Sequence, residues 1–237
     1  MNHPTQIIPI SNLVLSLAPV CVVICILFFW TRSHGNATYA IIRMLIQLLL
    51  IGHLLMYLFK TENVYIVSLV LMMMVAVSSW ISMRELMIKN IRIYRNILVS
   101  VMIGGGLTLV LVVKGVLGLE PWYVPDHIIP LASMIFANAM NTLSLAAERH
   151  EAELNRGAEY VEARNIAYKT ALIPITNSMF AVGLVSLPGM MTGQILSGVS
   201  PLIAARYQIM VMSMLYGSSG LSAALYLFFA RKSLVKS

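Results

Sequence analysis

Nine carboxylates, five histidines and two cysteines are the strongest acid–base, nucleophilic and metal-binding groups in this 237-residue chain. The acids (Glu62, Glu85, Glu120, Asp126, Glu148, Glu151, Glu153, Glu159 and Glu162) fall between apolar runs or at their ends. Ion-coupled carriers place an ionisable group at bilayer depth, and only His53 sits inside an apolar run. It reads either as a donor that packs helices together, with Gln47 or Tyr57 as partner, or as a group on a substrate path. Cys21 and Cys25 are four apart in the first run, which puts them on one helix face. They read as two small core residues. A soft-metal pair would lack His or acidic co-ligands, and neighbouring helical turns give poor disulfide geometry.

The common catalytic strings are missing. There is no GxxxxGK[ST], so the chain holds no ATP by a P-loop, and no HExxH or CxxC. Gly217-Ser218-Ser219-Gly220 fits the GxSG string of rhomboid-type proteases, but a serine nucleophile needs a base and no histidine follows His150. A small-residue string in a membrane helix reads better as a close-packing face. The same reading suits Gly104–Gly106.

Ser186–Gln194, SLPGMMTGQ, sets a proline, two glycines, a threonine and a glutamine in a run that is otherwise apolar. Lipid cannot hydrogen-bond a broken backbone, so such a segment must lie against protein or a watery cavity. Pro188, Met190, Met191 and Gln194 are therefore substrate-path candidates, or else residues that only shape the helix. Most of the 17 methionines read as flexible filler, with Met190 and Met191 the exception because of where they sit. Ser133, Ala137 and Asn141 form an i, i+4 stripe with Asn138 beside it. Buried asparagine in lipid must be paired, so this face packs on another helix or lines a path.

Positioning these residues is the task of apolar helices. The chain is 59% hydrophobic and 11% charged, with a mean hydropathy of +0.85, which makes it an all-α polytopic membrane protein. Seven spans are expected, at 9–30, 40–59, 64–83, 96–116, 128–147, 173–195 and 206–230, as one membrane domain over 1–237. The first run has no basic residue before it and is long enough to span, so it reads as a retained span, not a cleaved signal. Loops at 31–43, 84–95, 148–170 and the tail after 230 hold 13 of the 16 basic residues. That bias predicts the N-terminus out and the C-terminus in. It also explains the net charge of +7 without nucleic acid. A re-entrant 186–194 segment is the alternative, and it would put the tail outside. No internal repeat supports an inverted-repeat carrier. The only sizeable loop, 148–170, reads as a polar helix broken near Gly157. Its Glu151-Ala152-Glu153-x-x-x-Gly157 has the leading spacing of the loop by which ABC permeases dock on an ATPase, although the later IxLP part comes about one turn late.

Gly183–Met212, GLVSLPGMMTGQILSGVSPLIAARYQIMVM, resembles the signature of the FetB (YbbM) family of ABC transporter permeases. Arg43–Leu48, Ile129–Ala132, Asn138–Met140 and Ala171–Pro174 add to the match, which covers most of 40–230; the first 35 residues match poorly. The resemblance implies a permease without its own ATP site, dimeric, in the inner (plasma) membrane. It would be driven by a cytoplasmic ABC ATPase subunit (FetA-like) that carries ATP and Mg²⁺, and it would export iron or another metal ion. Relatives linked to aluminium tolerance and to UDP-glucose transport keep a nucleotide sugar or other small solute open as cargo. Substrate-path candidates are then His53, Gln47, Asn138, Asn141, Pro188, Met190, Met191 and Gln194. Glu151, Glu153, Arg156 and Gly157 are candidates for ATPase coupling. An ATPase-independent carrier or a membrane-embedded enzyme is disfavoured by the missing ionisable and catalytic groups.

Overall fold

The computed structural model describes residues 9–31, 34–61, 63–84, 86–87 and 89–234; Arg32, Glu62, Glu85 and Lys236 of the charge pattern lie outside them. The chain forms two compact units that divide after Lys60.

The first unit holds α1 (Ile10–Leu15), α2 (Ala18–Thr31) and α3 (His34–Leu58), with α2 packed on α3. Residues 11–31 and 35–58 are each long and apolar enough to cross a membrane. Their side chains are almost all exposed within the unit, Phe29 and Trp30 among the most. Cys21 and Cys25 are free and exposed, not core residues. A two-helix hairpin has too little second surface to bury both faces.

The second unit is a bundle of α4 (Val64–Ser82), α5 (Ile91–Val110) with a π-helical turn at Leu111–Val116, α6 (Pro125–Asn155), α7 (Tyr160–Ala181), α8 (Gly189–Leu196) and α9 (Pro201–Leu234). Asparagines start two of these helices: Asn63 accepts from the Tyr65 amide at 2.9 Å and Asn90 from the Arg92 amide at 3.2 Å, each satisfying an orphan first-turn donor. Pro125 and Asp126 open α6, a proline where its missing N–H costs nothing and an acid at the positive end of the dipole.

The core lies where α5, α6 and α9 meet. A Cβ on Gly104 would sit 2.5 Å from the Ser222 hydroxyl and 2.7 Å from its amide nitrogen, and one on Gly105 would sit 3.0 Å from the Phe136 ring. Gly104 lets α5 meet α9 at backbone range and Gly105 makes room for the α6 side chains, as their sequence context predicts. Gly106 meets nothing within 4 Å. Ser218 and Ser219 are fully buried beside Gly220, whose Cβ would meet the Tyr168 hydroxyl at 3.3 Å. The GSSG string is thus a packing face. On α7, the buried residues Ala163, Ala167, Ala171 and Ile175 recur every four. Ala171 joins Ala146 and Ala223 in a cluster under Tyr168, a small-residue seam that draws three helices together.

Among the described residues, six helices are long and apolar enough to cross a membrane: 11–31, 35–58, 64–82, 91–116, 125–155 and 201–231. The span expected at 173–195 is not a continuous helix. Helix α7 begins at Tyr160 and stops at Ala181. Gly183 then takes φ +84°, a left-handed turn that only glycine adopts at no steric cost, and Pro188 forms the N-cap of the separate α8. At about 1.5 Å per residue, the 22 residues of α7 match a bilayer core in length, but the stretch Tyr160–Lys169 is polar. Helices α6 and α9, with 31 and 34 residues, are longer than the ~30 Å core and must project beyond it.

Candidate functional site

Helices α7 and α9 run antiparallel, so the second unit has two ends with different chemistry. At one end, α6 turns into α7 through an elbow. Gly157 has φ +88°. The Gly157 amide donates to the Leu154 carbonyl at 3.0 Å and the Ala158 amide to the Glu153 carbonyl at 3.1 Å. This Schellman pair caps α6 and satisfies its last carbonyls, as the glycine at this place in the sequence predicts. Glu153 is 8% exposed. It accepts from Arg149 at 2.6 Å and from Arg156 at 3.3 Å. Glu151 accepts from the Met87 amide at 3.1 Å, which ties the loop after α4 to the end of α6. All four coupling candidates therefore sit in one elbow, three of them in its hydrogen-bond framework and Gly157 at its bend.

Tyr160 locks the elbow to α9. Its hydroxyl donates to the Leu227 carbonyl, its ring meets His150 edge-on at 5.7 Å, and Arg231 lies 5.9 Å above the ring. Burial pushes the Tyr160 phenol up, against the opposing pull of Arg164 and Arg231; it therefore stays a neutral donor. Met87, the elbow and Arg231 share this end of the unit. Tyr160 and Met87 escape sequence reasoning, because a tyrosine that opens a helix and a backbone amide carry no motif.

At the opposite end, α7 gives way to a tight turn. The amides of Leu184, Val185 and Ser186 all point to the Ala181 carbonyl, and the Gly183 amide donates to the Ser186 carbonyl at 2.9 Å. The break closes on itself, so the backbone tolerates an apolar tip in which Leu184 is 91% exposed. Helix α8 then packs on α9 and ends in a second Schellman pair at Gly198, φ +91°.

A cavity of about 320 Å³ lies among α7, α8 and α9, lined by Met179, Met191, Gln208, Met212 and Ser213 with neighbouring apolar residues. Gln208 is 6% exposed, and its Oε1 has no hydrogen-bond partner. The Oε1 of Gln194, on α8, is likewise buried without one. Of the eight path candidates, Met191 alone lines this cavity. Pro188 caps α8, its carbonyl accepting from the Thr192 amide at 3.0 Å, and Met190 is half-buried on the same helix. Asn138 donates to the Met134 carbonyl of its own helix at 3.1 Å, while Asn141 is exposed on α6. His53 and Gln47 belong to the first unit and are exposed. The Nδ1 of His53 lies 2.9 Å from the Leu49 carbonyl one turn back, and since a carbonyl only accepts, Nδ1 is the donor. Met179, Met212 and Gln208 escape sequence reasoning, although a lone amide early in the last apolar run is a signal that could have marked Gln208.

A larger cavity of about 660 Å³ lies along α4, α5 and α6, with Lys114 of the π-helical turn and Trp122 in its wall. It contains none of the candidates. Among the described residues, no three His, Cys, Asp or Glu side chains come together as a metal site.

The profile described as "Uncharacterised protein family (UPF0014)" matches residues 10–235. The "Probable iron export permease protein FetB" of Escherichia coli (strain K12) is 31% identical, over 90% of this chain and 88% of FetB. "Protein ALUMINUM SENSITIVE 3" of Arabidopsis thaliana is 30% identical, over 87% of this chain and 81% of that one. The "UPF0014 membrane protein YjkA" of Bacillus subtilis (strain 168) is 29% identical, over 89% and 91% respectively. No solved structure matches the chain. The resemblance carried by Gly183–Met212 thus extends over nearly the whole sequence, and the chain belongs to the UPF0014 family of membrane proteins.

Proposed function

We propose that this chain is the permease subunit of an ATP-driven transporter that exports metal ions, iron first among them, across the inner (plasma) membrane. Two copies would assemble with two cytoplasmic ATPase subunits, which supply the ATP and Mg²⁺ sites that this chain lacks. The name of the Escherichia coli relative supports iron as cargo. The observation that carries the mechanical reading is the elbow: Glu151 joins the end of α6 to Met87 after α4, and Glu153 is held between two arginines.

Such an elbow suits a docking surface. It carries exposed charge from Arg156, yet its backbone is capped and Glu151 and Glu153 are engaged, so a push from outside would move it as one piece. Tyr160 would pass that displacement to α9 through Leu227. Helix α9 runs through the core and on to the opposite turn, so a shift at the elbow would alter the far end. Alternating access would follow from this lever, with the N-terminus outside and the elbow on the ATPase side. The neutral amides of Asn138 and Gln194 would offer a cation weak, exchangeable contacts. That suits export, where tight binding hinders release.

The test is reconstitution of the permease with the ATPase in proteoliposomes. Fe(II), Fe(III) chelates and a nucleotide sugar are offered in turn, with ATP hydrolysis and flux recorded. Fe(II)-stimulated hydrolysis with vectorial iron movement is the expected result. Flux of the sugar alone would replace the metal as cargo, and no stimulation by any of them would remove the transporter reading.

A further inference from the structure

We propose that Met179, Met191 and Met212, together with the side-chain carbonyl of Gln208, form a binding site for a soft monovalent cation, Cu(I) or its redox-inert stand-in Ag(I). The three thioethers come from three different elements, the end of α7, α8 and the middle of α9, and line one cavity. Thioether sulfur selects soft d¹⁰ cations over Fe(II), which prefers imidazole and oxygen. Methionine as mere filler would account for the sulfurs, but it would not account for Gln208. That side chain is more than nine-tenths buried in the same wall, with an oxygen that nothing in the structure satisfies. The neighbouring Ser213 hydroxyl is committed to the Ile209 carbonyl at 2.8 Å. Buried polar atoms are almost always paired, so an orphan in a cavity points to a ligand.

The donor set is neutral, so a bound cation keeps its charge, and a single charge is the least costly to hold. The cavity is roomier than one ion requires, and methionine's three rotatable bonds let the sulfurs close in. This site is independent of the iron reading: it concerns equilibrium binding by the permease alone, with no ATPase and no flux.

The experiment uses the full chain in detergent, in a Cys21→Ser/Cys25→Ser background, because both cysteines are free and exposed and a thiolate would outcompete thioethers for silver. Ag(I) is titrated under equilibrium dialysis with free methionine as competitor, and bound silver is counted by elemental analysis. One competed equivalent is expected. Met191→Leu and Met212→Leu should each weaken it by about tenfold or more, Gln208→Leu should weaken it less, and Met72→Leu on α4 should leave it unchanged. Leu for Met nearly conserves volume, and size-exclusion profiles check the fold. If Met212→Leu does not fold, Met191→Leu on the half-buried α8 decides. Absence of a competed equivalent, or equal losses from Met72→Leu and Met191→Leu, would overturn the site. Fe(II) transport without silver binding would overturn this site alone, and silver binding without transport would overturn only the exporter.

Discussion

The two ends of the second unit use the same backbone device and finish it differently. Each closes a helix with a left-handed glycine in a Schellman pair, Gly157 at the elbow and Gly198 after α8. At the elbow the side chains link separate elements: Glu153 holds two arginines, Glu151 holds a backbone amide, and Tyr160 holds a carbonyl of α9, although Arg149 Nε and His150 Nε2 stay buried without a partner. At the far turn the backbone is equally settled, but Gln194 and Gln208 each keep a buried oxygen without a partner, that of Gln208 in the wall of a cavity. A network that links several elements transmits force, because moving one member moves the rest. An unpaired oxygen in a cavity wall is costly to leave as it is and gains by taking a ligand. The difference between the ends is therefore one of linkage against vacancy for a ligand, in keeping with the proposed mechanics at the elbow and binding at the turn.

The largest way to break that comparison is at the glycines themselves. Gly157→Val and Gly198→Val each force a β-branched residue to φ near +90°, at a cost of about 1–2 kcal/mol or more. Similar drops in thermal unfolding midpoint are therefore expected. If the proposed coupling holds, the functional losses should separate: Gly157→Val abolishes stimulation of the proposed ATPase partner, whereas Gly198→Val keeps docking and disturbs cargo handling. If both variants lose ATPase association equally, the division of labour fails.

The glycines were readable because their effect is local. Gly157 follows a polar helical run, and Gly104-Gly105 interrupts an apolar one, and each does what that context implies. The path of the chain through 160–195 was not readable in the same way. Hydropathy placed a span at 173–195, because it cannot see that Ala163, Ala167 and Ala171 give the polar start of α7 a buried seam against α6 and α9. SLPGMMTGQ announces a break, but whether the chain continues beyond it or turns depends on Gly183 and on amides that converge on Ala181. The meeting of Met179, Met191 and Met212 is a tertiary fact, and no spacing between them encodes it. His53 was legible as an exception, but its hydrogen bond to Leu49 is made within its own helix.

Next in size are the elbow's side chains. Glu153→Ala leaves Arg149 without its 2.6 Å partner in a half-buried setting and should cost about 1–3 kcal/mol. Glu151→Ala frees the Met87 amide at a cost of about 1 kcal/mol. Its effect on coupling should be larger than on stability, since the 84–90 loop loses its tie to α6. Tyr160→Phe removes the bond to Leu227, again about 1 kcal/mol. It should slow ATP-dependent flux while ATPase association, measured by co-purification, stays intact. A Tyr160→Phe variant with normal flux would show that the elbow moves without α9.

The smallest effect on stability is expected at the far turn, and its sign is what discriminates. Replacing a paired buried group costs stability, but replacing an orphan removes a desolvation penalty that the fold already bears. Gln208→Leu should therefore leave the unfolding midpoint of the metal-free permease unchanged or raise it slightly, by up to about 1 kcal/mol, and Gln194→Leu should do the same. Both changes keep α8 against α9, because leucine fills the apolar part of the space. In the presence of a bound cation the order reverses for Gln208: the native chain gains stability by mass action, and Gln208→Leu gains less. Differential scanning fluorimetry with and without Ag(I), in the cysteine-free background, reads both halves. Destabilisation of the metal-free protein by Gln208→Leu, on the scale expected for Glu153→Ala, would mean that the oxygen is engaged after all. The turn would then hold its helices together without awaiting a ligand.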